Sequence, residues 1–288
     1  LNARARENQW GFVDFNRPMV AINQWEQAAD SMYTLCGKDR IHPSTDGHLV
    51  MAYLFLKAQG LAGKLVADIR IDGAGKKVTR SDNCRVSDLS VSSDNLTFTY
   101  EAKSLPYPID TSYYDNEKHT QADALSVIPF MDEMNYEGLS VSGLSDGYYG
   151  LTIGGEFIGR FTARELERGI NMALLQNTPQ YKQAMKIRQM NEERWLKERK
   201  MREFYWVEYN LMRKTGMLWA CDEAAVDTLR KYRPHDIFLQ WNGDLWLQYM
   251  HKGIREDCVN EQQDLVDRIY EQNKPIPLQI EIKKFTDL

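Results

Sequence analysis

A single strand-like apolar run stands alone near the start of the chain, and it limits what the first 62 residues can build. Trp10-Gly11-Phe12-Val13-Asp14-Phe15-Asn16 is apolar with a polar end, and Arg17-Pro18 stops it. A run of that kind suits a parallel strand buried on both faces, which reads as continuous and not alternating. One strand makes no sheet, and a parallel neighbour requires a crossover of a dozen or more residues. Residues 1–62 therefore read as the last strand and helices of a layered α/β domain whose other strands are expected upstream of Leu1. Residues 1–9 read as a helix end, and a short helix is expected around 19–30. A second helix is expected over 45–58, with Ser44 as N-cap, Pro43 at its entry and Gly60 at its end. Its segment Leu49-Val50-Met51-Ala52-Tyr53-Leu54-Phe55-Leu56 is apolar nearly all round, which predicts cover on more than one side.

From about residue 63 the pattern changes to alternation. Leu65 to Asp72, Cys84 to Ser92, Leu96 to Glu101, Gly138 to Ser142, Tyr148 to Ile153 and Glu156 to Thr162 read as half-buried antiparallel strands. Gly154-Gly155 predicts a two-residue hairpin turn. Residues 104–124, with Pro106, Pro108, Tyr113 and Tyr114, read as a long loop. From Gln176 the pattern is helical. One long helix is expected to Arg213, with Pro179 in its first turn, and further helices near 218–232, 242–251 and 254–273. The tail from Pro275 to Ile282 alternates and reads as an edge strand, where prolines are tolerated. The expected organisation is the end of an α/β domain over 1–62, a mainly antiparallel β module over 63–175 and a helical region over 176–288.

The net charge of −5 gives no basic surplus of the kind a nucleic-acid partner would require. No run approaches the eighteen apolar residues of a membrane span. The four cysteines, Cys36, Cys84, Cys221 and Cys258, are far apart without a CxxC, and read as buried free thiols. His235-Asp236 and His251 are isolated and lack metal-ligand spacing, and no metal or cofactor is expected.

The chemistry of the chain centres on Asp39 and His42. A carboxylate three residues before an imidazole on a loop can reach it without help from the rest of the fold. An imidazole can take a proton from a nucleophilic hydroxyl and return it to a leaving alcohol, while the carboxylate fixes its tautomer. The nucleophile is not beside them. Gly143-Leu144-Ser145-Asp146-Gly147 fits GxSxG, but that elbow needs a helix after the serine. Tyr148 to Ile153 reads as a strand, which makes Ser145 a hairpin-turn residue. His48 reads as a buried structural histidine. Trp195, Trp206, Trp219, Trp241 and Trp246 read as core in preference to sugar-stacking platforms.

Asp39-x-x-His42-Pro43-x-x-x-Gly47-His48-x-x-Met51-Ala52, preceded by Gly11-Phe12-Val13-Asp14-Phe15-Asn16, resembles the last block of the SGNH (GDSL) hydrolases. A looser resemblance links Val141-x-Gly143-Leu144-x-x-Gly147-x-Tyr149 through Gly169-Ile170-Asn171 to the C-terminal extension of some bacterial members. The resemblance implies a three-layer, flavodoxin-like α/β hydrolase domain. It also implies a Ser–His–Asp triad with His42 as base and Asp39 as orienting acid, acting on an acylated carbohydrate, a lipid or another small ester. The family's Gly-Asp-Ser motif does not occur in the 288 residues. The serine and oxyanion donors are therefore expected from an upstream segment, and the setting is expected to be periplasmic or secreted. The other reading is a non-catalytic module that binds a glycan or a partner and keeps the Asp39–His42 loop as a relic.

Overall fold

The structure is a computed structural model and describes residues 1–112 and 119–285. Tyr113 and Tyr114 lie outside the described residues. The fold is mixed α/β. It divides into two compact units, one formed by residues 1–184 and 275–288, the other by 185–274.

The first unit opens with α1 (Asn2–Glu7), α2 (Asn16–Glu26) and α3 (Thr45–Ala58). The segment Trp10–Asn16 is not a strand. Residues 10–15 have no regular structure, Asn16 already begins α2, and Arg17-Pro18 lies in that helix's first turn. The physical reason is the one that made the run informative. A strand must pair its N–H and C=O groups with a neighbour, and among the described residues none lies beside it. Its apolar side chains stay in the open: Trp10 is 66% exposed and Phe12 42%. Helix α2 buries no residue at all.

Helix α3 forms over the expected span, with Ser44 in extended conformation ahead of it and Gly60 at φ +72° after it. Its cover is one-sided. Leu49, Val50 and Tyr53 are buried, whereas His48, Ala52 and Phe55 are exposed. The buried side packs with Leu35 into a cluster completed by Ile109, Ala124, Ile128, Phe130, Met131 and Ala173. Tyr53 also donates to Glu133 at 2.7 Å, and Lys57 pairs with the same carboxylate at 2.8 Å. Thus α3 is held by later segments of the same unit.

Nine strands follow among the described residues. They are β1 (Ala67–Asp72), β2 (Lys77–Asp82), β3 (Cys84–Val91), β4 (Asn95–Ala102), β5 (Glu137–Ser142), β6 (Tyr148–Ile153), β7 (Glu156–Thr162), β8 (Ile170–Asn171) and β9 (Leu278–Lys284). The short helices α4 (Phe130–Glu133) and α5 (Ala163–Arg168) lie between them. Two sheets result, ordered β2-β1-β5-β8 and β3-β4-β9-β6-β7. Both line one core: Ile69, Ile71, Leu139 and Val141 from the first sheet meet Phe98, Leu151, Ile153, Ile280 and Ile282 from the second. Alternation produced the strands, since every second residue turns to that core. Gly154 and Gly155 turn β6 into β7 with φ of +59° and +82°, the double positive φ of a tight hairpin.

Three details depart from the sequence reading. β1 and β5 pair in parallel, so the module is not uniformly antiparallel. β2, rich in exposed polar residues, carried no readable alternation. The tail strand β9 is central, bonded to β4 on one side and β6 on the other. Pro275 and Pro277 precede it, so every residue from Leu278 onward keeps its N–H for the ladder.

Helix α6 (Pro179–Val207) begins in the first unit, with Thr178 Oγ1 accepting from the Tyr181 N–H at 3.3 Å as an N-cap. It continues into the second unit and ends in a π-helical turn over Glu208–Met212. Helices α7 (Glu223–Tyr232), α8 (Ile237–Tyr249) and α9 (Lys252–Gln272) complete that unit. Met201, Phe204, Val207 and Leu211, at helical spacing on the sequence, form its core with Leu229, Leu239 and Trp246. Glu208 is enclosed there, accepting from the Trp246 indole at 2.8 Å and the Trp219 N–H at 3.0 Å. Trp219, Trp241 and Trp195 are not core: they are 45%, 66% and 49% exposed.

Candidate active site

The Asp39–His42 loop is a closed turn on a fixed base. Cys36 and Pro43 form an antiparallel bridge. The Gly37 N–H donates to the His42 carbonyl at 2.8 Å, and the Ser44 N–H to the Leu35 carbonyl at 3.1 Å. Between these rungs the chain reverses, with Arg40 in the left-handed region at φ +56°. Asp39 organises the tip. Its Oδ1 accepts the N–H groups of Ile41 at 3.0 Å and His42 at 3.1 Å. Its Oδ2 lies 2.5 Å from His42 Nδ1. One carboxylate therefore holds both the backbone and the ring of the histidine. These bonds, the His42 side chain first and the two N–H groups after it, draw the Asp39 carboxyl down to about 2. The carboxylate is ionised across the range in which an imidazole works. With Nδ1 committed to Asp39, Nε2 is the ring nitrogen left free to exchange a proton, and the side chain is 84% exposed.

The base of the loop depends on Gly47. A Cβ there would sit 2.0 Å from the Leu35 carbonyl oxygen. The first turn of α3 thus presses on the backbone of Leu35, itself fully buried, and only glycine permits it. Beside it, Ser44 Oγ donates to Asp46 Oδ1, which also accepts from the Gly47 N–H at 2.8 Å. Asp46 is 1% exposed, with His119 Nδ1 3.7 Å from its other oxygen. The ring of Tyr33 meets His119 edge-on. Burial first, then the charge of Asp46, pushes the Tyr33 hydroxyl up to about 12. This second acid–imidazole pair has no signature in the sequence. Asp46 and His119 are 73 positions apart, and only the Ser-x-Asp spacing at the helix start hinted at a polar cluster.

The structure brings Asp39 and His42 together and leaves the other candidates apart. Among the described residues, no hydroxyl or thiol is hydrogen-bonded to His42 Nε2. Ser145 lies between β5 and β6, which belong to different sheets, so it is a crossover residue and not a hairpin turn. Its Oγ accepts from Lys284 Nζ at 2.8 Å and lies 3.1 Å from the Tyr149 hydroxyl. His48 is exposed, on the uncovered side of α3 with Ala52 and Phe55. Cys84 and Cys258 are buried, Cys36 is half-buried under the loop and Cys221 is exposed. No group of three or more His, Cys, Asp or Glu among the described residues is arranged to hold a metal.

Comparison with known proteins separates the two units. Residues 185–274 match the family described as the diltiazem deacetylase C-terminal helical domain. The whole chain is similar to a solved structure, BT4096, a gut microbial diltiazem-metabolizing enzyme, with 42% identity and a TM-score of 0.92. The match covers 99% of this chain and 64% of that one, so the chain spans less than two thirds of the length of the protein it resembles. No curated protein matches.

Proposed function

We propose that the chain is the C-terminal part of a serine-dependent ester hydrolase of the SGNH kind, with His42 as its base and Asp39 as the acid that orients it. The observation that carries this reading is the tip of the loop, where one carboxylate fixes Nδ1 and turns Nε2 outward. A deacetylase helical domain matching residues 185–274, and a diltiazem-metabolizing enzyme matching the whole chain, support ester hydrolysis, with an acetyl ester as the first substrate to test.

The nucleophile is proposed to come from an upstream segment of the same protein, along with the oxyanion donors. Two observations support that. Roughly a third of the similar solved chain, about one domain's worth, lies outside the match. Residues 1–55 also leave Trp10, Phe12, Val20, Trp25, Met32, Ile41 and Phe55 exposed, apolar side chains that the proposed upstream segment would cover. In the proposed reaction the serine hydroxyl attacks the ester carbonyl while His42 Nε2 accepts its proton. The imidazolium, stabilised by Asp39, then protonates the departing alkoxide. Water hydrolyses the acyl-enzyme by the same route, and the carboxylic acid leaves.

The test uses the full-length protein and a short-chain nitrophenyl ester. Turnover and labelling by a serine-directed fluorophosphonate are expected, and His42→Ala is expected to abolish the turnover. Unchanged turnover in that variant would end the assignment. Absence of any labelling would favour the reading of the chain as a non-catalytic binding module.

A further inference from the structure

The first residue of β5, Glu137, is fully enclosed. Its N–H donates to Asn171 Oδ1 at 3.0 Å. Its carboxyl is reached from two other directions. The Tyr100 hydroxyl, from β4 in the opposite sheet, donates to Oε1 at 2.8 Å. The buried Gln180, in the first turn of α6, places Nε2 3.2 and 3.4 Å from the two oxygens. Among the described residues, the enclosed Gln180 Oε1 has no hydrogen-bond partner. Among the described residues, no Lys, Arg or His stands within ion-pair distance of Glu137. A carboxylate removed from water and met only by two neutral donors is costly, and it relieves that cost by keeping its proton.

We propose that Glu137, Tyr100 and Gln180 form a proton-operated latch, closed while the carboxyl is neutral, that fastens both sheets to the first turn of α6. Its ionisation admits water to the junction and loosens it. This is independent of the esterase reading. Burial raises the Glu137 carboxyl from 4.5 to about 7, against the smaller opposing pull of Tyr100 and Gln180. The groups that face it do not blur the transition. Ala67 on β1, its partner in register, is apolar. Asn171 on β8 and Gln180 on α6 carry no charge. Burial drives the Tyr100 hydroxyl upward, so it stays a donor, and burial likewise raises the nearby Cys84 thiol on β3. The folded value lies above the unfolded one. The latch is therefore fully closed below about pH 4.5 and loses its contribution as pH rises to about 7.

The experiment is urea unfolding of the protein and its Glu137→Gln variant across about pH 4.5 to 8. Relative to the variant, the unfolding constant of the wild type is expected to rise on the order of a hundredfold over that range. Parallel profiles would overturn the latch. Should the variant fail to fold, carboxyl-labelled glutamate in the wild type is followed by NMR. One resonance titrating near neutrality supports the proposal, and all of them titrating below about pH 5 overturns it. Hydrogen exchange, corrected for intrinsic rate, locates the effect. Exchange is expected to quicken in β4, β5 and residues 180–181 between about pH 6 and 8, and uniform exchange there would count against a latch at this junction.

Discussion

The loop-bearing segment and the β core sit in one unit and are built on opposite terms. In the core, both sheets turn their apolar residues inward, and Ile69, Phe98, Leu139, Ile153 and Ile280 have no exposure at all. In residues 1–41 only Ala5 and Leu35 are buried apolar side chains, while Trp25 is 80% exposed and Met32 70%. The contrast shows that a site and its fold can be legible to different degrees. The Asp39–His42 contact is complete within four residues, so it forms although the segment around it has no core of its own.

The largest effect expected of this contrast is a loss of chemistry without a loss of fold. On the proposed function, His42→Ala in the full-length protein should lower the kcat of ester hydrolysis by about ten-thousandfold, with an unchanged melting curve, because the side chain is in the open. A parallel drop in Tm would show that the loop is structural. At the other pole, Ile280→Ala removes a fully buried side chain from the central strand and should cost about 2–5 kcal/mol in urea unfolding. If it costs no more than a surface change, the core is not the closed body described above.

Gly47→Ala joins the two poles. Its Cβ would meet the Leu35 carbonyl, so about 1–3 kcal/mol of stability should go, and activity with it, as the loop base shifts. Trp25→Ala should change the stability of residues 1–288 by no more than about 0.5 kcal/mol. In the full-length protein the same substitution is expected to cost more, since the proposed upstream segment would cover that ring. Equal effects in both would remove the support that exposure lends to that segment. The smallest effect is in pH. The Asp39 carboxyl, lowered to about 2 from 3.8, keeps its bonds to His42 above its ordinary value and loses them as pH falls through about 2. NMR of the His42 ring should report no change attributable to Asp39 between about pH 5 and 8.

Sequence reading recovered what was local or periodic. The span of α3, the Gly154-Gly155 turn, the core stripe of α6 and the Asp39–His42 pair each rest on spacing along the chain. It failed where a partner decides. Trp10–Asn16 has the composition of a strand, but among the described residues no strand lies beside it. α3 is apolar on all sides, yet only one side meets neighbours. Glu137 reads as an ordinary acidic residue at a strand start, and the Asp46–His119 pair is invisible until residues 73 positions apart come together. The exposed tryptophans of the helical unit show the same limit, since amphipathic spacing does not say which rings a small bundle has room to cover.

The central place of β9 has a consequence for biogenesis. Thr99 and Gln279 face each other across a ladder although 180 positions separate them. During translation β4 and β6 leave the ribosome with a gap between them, and the entire helical unit must be made before the filling strand arrives. Until then two bare strand edges are open to wrong partners, the situation in which nascent chains aggregate or recruit chaperones. Closure of that gap, and not formation of either half, is expected to set the pace at which the five-stranded sheet forms.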